Sequence, residues 1–477
     1  MKPIWTSESL STALGAKVEP SINGNRVHFN SKDLSEGDLF IALEGNNDGH
    51  AYALDALKRG AACAVVSKEI AGAPQERLIL VDDTYKALYA LAEYKRQTSK
   101  AKFIGITGSV GKTSTKEIIF GIAKNFGEAF ASRANFNNHL GLPLNLASMP
   151  DDTEYGIFEL GMDNAGELSE LSRFLRPDLV VITNIAPVHL AHFNSIDDIA
   201  SAKAEIFDGM TSKGFAILNR DDKYYDYFIQ QSSQIKSASF GESDQATSQL
   251  CKYEFDGETA HIDLKLNGKT YHVDTTLGGH HMACNLACGL LVANVLGFDE
   301  AAALDAMRRL KPARGRGEQI ELTLSDHKCR LIHDCYNAGP ISVIASLKHL
   351  GDIKHPYKIA ILADMRDLGA NEKEYHRALA EHVVSSGIKR LYTVGNLMRE
   401  LHEKLMPPSG LTQGPQESYE TLGLNPSETI TLKHFSDSQE LQQEIVSLID
   451  TDALILMKGS NSTGLLALAD YLIKYSK

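Results

Sequence analysis

Short apolar runs alternate with stretches of helical period along most of the chain, and the runs fall into three groups. In the first group, residues 37–43, 61–67 and 77–81 read as buried strands, with a helix over 51–59. In the second, a charged helix over 86–100 leads into a strand at 103–107, a glycine-rich turn and a helix over 113–125. Further buried strands are expected at 155–160, 178–185 and 215–219. Continuous apolar runs of this kind suit a parallel sheet, whose strands are covered on both faces. Ile262, Leu264 and Leu266 then alternate with polar residues up to Asn267-Gly268, and Tyr271 and Val273 resume the alternation. That pattern predicts a hairpin with a type I′ turn, an antiparallel appendage to the parallel core.

Helices over 282–296 and 300–310 precede a break in periodicity at 311–317. The third group repeats strand and helix, with strands at 330–334, 358–363, 390–394 and 453–457 and a helix over 372–384. Residues 413–427, rich in Gly, Pro, Ser and Glu, read as a surface loop. The expected fold class is α/β in three domains: a smaller α/β domain over 1–100, a central parallel-sheet domain with a hairpin appendage over 101–312, and a Rossmann-like domain over 313–477. Length agrees, since 477 residues at about 150 per domain make about three.

Composition narrows the function classes. With 43% apolar and 23% charged residues the chain is that of an ordinary globular protein. Forty-eight basic against sixty-one acidic side chains leave a net charge of −13, which argues against broad nucleic-acid or anionic-membrane binding and leaves room for a local basic pocket. Cysteines at 63, 251, 284, 288, 329 and 335 are too few and too irregular for a disulfide framework. Cys284 and Cys288, one helical turn apart, read as a packing pair. The start lacks the apolar run of a signal peptide and no stretch approaches a membrane span, so a soluble, cytoplasmic protein is expected.

Thr107-Gly108-Ser109-Val110-Gly111-Lys112-Thr113-Ser114 stands between an apolar strand and a helix, where backbone N–H groups and the helix start can cradle triphosphate oxygens. Lys112 would reach the β- and γ-phosphates and the Thr113 hydroxyl would hold Mg²⁺, although the loop is shorter than the general phosphate-loop pattern. Carboxylates or imidazoles for a metal belong at the carboxyl ends of neighbouring strands. Glu159 closes one such strand and His189 lies just beyond the next, positions that raise two residue types more often found solvated or packed. Lys203, in Ser201-Ala202-Lys203-Ala204-Glu205-Ile206-Phe207, reads from its amphipathic setting as a surface lysine. A reactive role would need its pKa depressed from about 10.4, which nothing local in the sequence demonstrates.

Together these residues resemble the Mur ligases of peptidoglycan synthesis, across all three regions. The loop from Thr107 to Ser114 is similar to the family's shortened phosphate loop, with Gly108, Ser109, Val110, Gly111, Lys112, Thr113 and Ser114 on ATP. The resemblance implies that Glu159 and His189 are magnesium ligands, and that Lys203 is carbamylated by CO₂ into a carboxylate-like ligand for a second Mg²⁺. It further implies that Asn285, in Gly279-His280-His281-Met282-Ala283-Cys284-Asn285, contacts adenine, that Arg316 is directed at the ATP phosphates and that Asp334 holds the ribose.

Within the family, several stretches favour the branch that adds D-alanyl-D-alanine to UDP-N-acetylmuramoyl-tripeptide. His333-Asp334-Cys335-Tyr336-Asn337-Ala338-Gly339-Pro340 is similar to that branch's Asp-Asp-Ser-Tyr-Asn-Ala-Asn-Pro, and Asn135-Phe136-Asn137-Asn138-His139-Leu140-Gly141-Leu142-Pro143 to the segment that lies against the nucleotide sugar. The implied substrate-binding residues are Ser31, Asn137, Asn138, Tyr336 and Asn337. The Asp-Asn-Pro-Arg motif of the diaminopimelate-adding sister is absent. Departures from the branch stand at Asn30 and Lys32, at Gly339, in the segment from Ala363 to Gly369, and at Asn461.

The resemblance implies an ATP-dependent amide ligase, expected to be a monomer and to serve cell-wall growth, cell shape and division. The tripeptide carboxylate would attack the γ-phosphate of ATP, and the dipeptide amine would displace phosphate from the acyl phosphate to give UDP-MurNAc-pentapeptide, ADP and phosphate. A sister ligase adding a single amino acid, a kinase and a nucleotide switch are the alternatives.

Overall fold

Among the described residues three sheets, of four, nine and six strands, carry the fold, preceded by a short ribbon of Trp5–Thr6 against Asn23–Gly24. The computed structural model describes residues 2–45, 47–133, 136–187, 192–406 and 430–476, so the expected loop over 413–427 lies outside them. The four-stranded sheet is parallel throughout, running Val27–His28, Leu39–Ile41, Cys63–Val66 and Leu78–Leu80. Its lower core is shared: Trp5, Val27, Ile41 and Val65 pack with Leu144 and Ala147 of the helix Gly141–Ala147, which lies far along the chain. The Trp5 indole donates to Ala147 O at 2.7 Å and the Val27 N–H to Ser148 Oγ at 3.0 Å.

The nine-stranded sheet has Lys102–Thr107 third from one edge, between Leu179–Ile182 and Tyr155–Glu159, and all three are parallel. The hairpin Ala260–Leu266 and Lys269–Thr275 turns on Asn267 and Gly268, whose positive φ angles of 51° and 80° are those a type I′ turn demands. This antiparallel addition is continuous with the core sheet. Ser248–Phe255 pairs parallel with Lys236–Gly241 on one side and antiparallel with Ala260–Leu266 on the other, so the parallel core and the hairpin form one continuous sheet. The apolar face of the hairpin, Ile262, Leu264 and Val273, packs into the same core as Ile118 of the phosphate-loop helix and Leu286 of the helix His280–Val295.

The six-stranded sheet is doubly wound, with Glu318–Leu324 as an antiparallel edge beside His327–Asp334 and four parallel strands beyond. The helix expected over 372–384 is two, Glu372–Arg377 and Ala380–Ser385. Buried His376, in the last turn of the first, receives the Met365 N–H on Nε2, which ties that short helix to the preceding loop. Among the described residues no helix is long and apolar enough to cross a membrane.

Candidate active site

The turn after Lys102–Thr107 is built on two glycines. Gly108 has φ +143°, and a Cβ there would lie 1.9 Å from Thr183 Oγ1. Gly111, at φ +86°, caps the helix Lys112–Ala123. The loop is moored to the end of the neighbouring strand, since Asn184 accepts from the Ser109 N–H at 2.8 Å and from the Val110 N–H at 2.9 Å, and the Thr183 hydroxyl donates to Val110 O. The helix start, with its unpaired N–H groups and positive end, therefore points at a fixed place.

Glu159, only 4% exposed, ends the adjacent strand there. Its Oε2 accepts from the Thr113 hydroxyl at 2.6 Å and its Oε1 from Asn137 Nδ2 at 2.8 Å. Gly161 leaves room for that amide, because a Cβ on it would sit 2.7 Å from Asn137 Oδ1. Two lysines share this neighbourhood, Lys203 buried and Lys112 partly so. Burial holds the Lys112 ammonium below its usual pKa, opposed by Glu159, while its Nζ caps Gly108 O at 2.7 Å. Burial, then the charge of Lys112, pushes Lys203 well below the usual lysine range against the pull of Glu159 and Asp163. At 2% exposure Lys203 is no surface lysine, which corrects the reading from its amphipathic setting.

From the far side comes Arg316, whose Nη2 donates to Thr113 Oγ1 at 2.9 Å and whose guanidinium lies 4.2 Å over the Tyr336 ring. Asp334 receives Lys458 Nζ at 2.7 Å and the Ser346 hydroxyl at 2.6 Å. These elements enclose a cavity of about 710 Å³, large enough for a nucleotide. Ser109, Val110, Gly111, Lys112, Thr113 and Ser114 line it from one side, and Arg316, Asp334, Tyr336 and Asn337 from the other. Asn137, Asn138, Glu159 and Asn285 also face it. Ser31 is not brought to it: it is buried in the four-stranded unit, where its hydroxyl donates to Asp55 at 2.9 Å. His189 and Asn135 lie outside the described residues.

Residues 106–293 match the Mur ligase middle domain and residues 315–461 the Mur ligase glutamate ligase domain. The UDP-N-acetylmuramoyl-tripeptide–D-alanyl-D-alanine ligase of Rickettsia prowazekii is 39% identical over 471 residues, covering 98% of this chain and 99% of that protein. The chain belongs to the Mur ligase family. A MurF crystal structure from Acinetobacter baumannii superimposes with a TM-score of 0.80 at 26% identity, covering 99% of both chains. The MurF ligase of Thermotoga maritima, solved in complex with ADP, shares the fold with a TM-score of 0.72 at 23% identity, over 94% of this chain and 97% of that one.

In this Mur ligase fold Lys458, not among the residues expected from sequence, also lines the cavity. It lies opposite Asp334 in the parallel register of His327–Asp334 and Ala453–Lys458, and its Nζ also reaches Asn337 O at 3.2 Å. A lysine closing an apolar core strand was the available signal. His281 and His349 were missed as well. Both line the cavity, and burial drives the His349 imidazole down to about 4, which leaves it neutral at physiological pH.

Proposed function

We propose that this chain is the ATP-dependent ligase that joins D-alanyl-D-alanine to UDP-N-acetylmuramoyl-tripeptide in peptidoglycan synthesis. The observation that carries it is the cluster of Thr113, Glu159, Asn137 and Arg316, which unites a phosphate loop, the Asn137-Asn138 segment and the third sheet around one cavity. The choice of carboxylate and amine rests on the activity named for the R. prowazekii relative and on the motifs around Asn137 and Tyr336. In this reading residues 1–100 hold the nucleotide sugar, 101–312 hold ATP, and 313–477 bring the dipeptide.

The backbone N–H groups after Gly108, together with Lys112 and Arg316, hold the phosphates and draw charge from the γ-phosphoryl group as the tripeptide carboxylate attacks it. The amine of D-alanyl-D-alanine then attacks the acyl carbon, and phosphate leaves. Arg316, by reaching Thr113, ties the loop before the third sheet to the phosphate loop beside the reacting phosphate. The oxygens of Thr113 and Glu159 are the donor class that Mg²⁺ takes, and His189 is assigned to the same set. A magnesium ion there would neutralise phosphate charge. Lys203, buried and shifted towards its neutral amine, is able to take up CO₂ as a carbamate and so provide oxygens for a second ion.

The protein is incubated with ATP, Mg²⁺, carboxylate-¹⁸O-labelled UDP-linked tripeptide and D-alanyl-D-alanine, and the products are weighed. The expected result is a UDP-linked pentapeptide with one ¹⁸O in phosphate. Phosphate retained on the acceptor would indicate a kinase, a single added amino acid a sister ligase, and unlabelled phosphate would sink the acyl-phosphate step.

A further inference from the structure

We propose that Glu242, His280 and Cys284 form a binding site for a thiophilic divalent cation of the zinc class at the rim of the nucleotide cavity. All three line that cavity, and their carboxylate, imidazole and thiol ligand atoms lie within 4.8 Å of one another. His280 and Cys284 are four residues apart on the helix His280–Val295, which stacks them on one face. Glu242 follows the strand Lys236–Gly241 and brings Oε1 to 3.0 Å from His280 Nε2. A tetrahedral zinc ion with bonds of about 2.0–2.3 Å spaces its ligands by roughly 3.3–3.7 Å, so modest side-chain rotations assemble the set and leave the fourth position facing the cavity.

The supports of the ligands are already in place. The backbone at Glu242 is pinned by Asp221, which accepts the Glu242 N–H at 2.6 Å and the Ser243 N–H at 2.9 Å. The His280 ring stands edge-on to Tyr253 at 5.6 Å, and the Tyr253 hydroxyl accepts the Gly279 N–H at 2.7 Å, fixing the start of the helix. Outer contacts of this kind orient metal ligands and set affinity. Two other clusters among the described residues, His261, His272 and Asp274, and Glu44, Asp48 and His50, contain no thiol. A sulfur donor beside an imidazole selects zinc over magnesium, so this site is chemically distinct from the oxygen set at Thr113 and Glu159. Burial, with the Glu242 and Asp221 carboxylates, holds the free Cys284 thiol up to about 12, so it stays a protonated, unreactive thiol until a cation displaces the proton.

The test uses Co²⁺ as a spectroscopic stand-in on the full chain, stripped of metal with EDTA and kept in Mg²⁺. The expected result is a thiolate-to-cobalt charge-transfer band that saturates at about one equivalent, is displaced by Zn²⁺, is lost in Cys284→Ala and weakens by at least roughly tenfold in affinity in His280→Ala. Thermal melting of both variants is recorded, and Cys284→Ser replaces Cys284→Ala if the latter melts early. Absence of the thiolate band in the unaltered protein overturns the site, and so does a band that survives in a normally folded Cys284 variant.

Discussion

Arg316 donates to the Thr113 hydroxyl across 2.9 Å, while the same hydroxyl donates to Glu159 at 2.6 Å. One oxygen thus joins the loop before the third sheet to the acidic end of a strand in the second. Arg316→Ala removes a charge without disturbing the pairing of Thr113 with Glu159. The expected outcome is a fall in kcat of about 10²–10³-fold with unchanged thermal stability. Steady-state kinetics with saturating ATP measure it, and an unaltered kcat would remove Arg316 from the chemistry.

Lys203 makes two separable predictions. Lys203→Ala is expected to abolish turnover, with partial recovery on adding short carboxylates that replace a carbamate; no recovery at any carboxylate concentration counts against the carbamate. The second concerns stability. A lysine whose folded pKa lies below its unfolded value binds fewer protons when folded, so its penalty is present below the unfolded pKa and is relieved as pH rises from the folded value through about 10.4. Lys203→Met is therefore expected to raise the melting temperature at neutral pH in CO₂-free, metal-free buffer, by about 1 kcal/mol or more in stability.

Gly108 tolerates no side chain. Both the positive φ of 143° and the 1.9 Å approach to Thr183 Oγ1 oppose a methyl group. Gly108→Ala should cost about 2–3 kcal/mol in urea unfolding and weaken nucleotide binding. Thr183→Ala in the same chain should restore part of the stability, because it removes the clashing oxygen, while the backbone strain and the loss of the Thr183 bond to Val110 O remain. Equal stability of the single and double variants would contradict the contact.

Asp334 and Lys458 should behave as a coupled pair. Lys458 is 3% exposed, so Asp334→Asn strands a buried ammonium and Lys458→Met leaves a carboxylate without its cation. Each single change is expected to cost about 3 kcal/mol, and the double variant less than their sum. Additive losses in chemical denaturation would show the pair to be uncoupled.

Much of the scaffold was legible because its strands are short, mostly apolar and bounded by polar or turn residues, as at Phe215–Asn219, Lys358–Ala363 and Arg390–Val394. Asn267-Gly268 gave its turn away by backbone chemistry alone. Ser248–Phe255 stayed hidden because the register shift between Leu250 and Lys252 breaks the alternation that marks a strand. The phosphate loop could be read locally, since its chemistry resides in adjacent residues. The burial of Lys203 could not, because Lys112, Glu159 and Asp163 come from distant stretches that only the fold assembles. Likewise the partnership of Asp334 with Lys458 depends on strand order, which places residues far apart in sequence side by side.

The helix Gly141–Ala147, buried along its whole length, is shared between the first sheet and the second. A cut near residue 100 would strip Trp5, Val27 and Ile41 from Leu144 and Ala147 and expose an apolar seam. The first two units therefore cannot be exchanged between relatives as loose modules: they are expected to melt as one cooperative block, and the stretch that follows Asn137 inherits its rigidity from both.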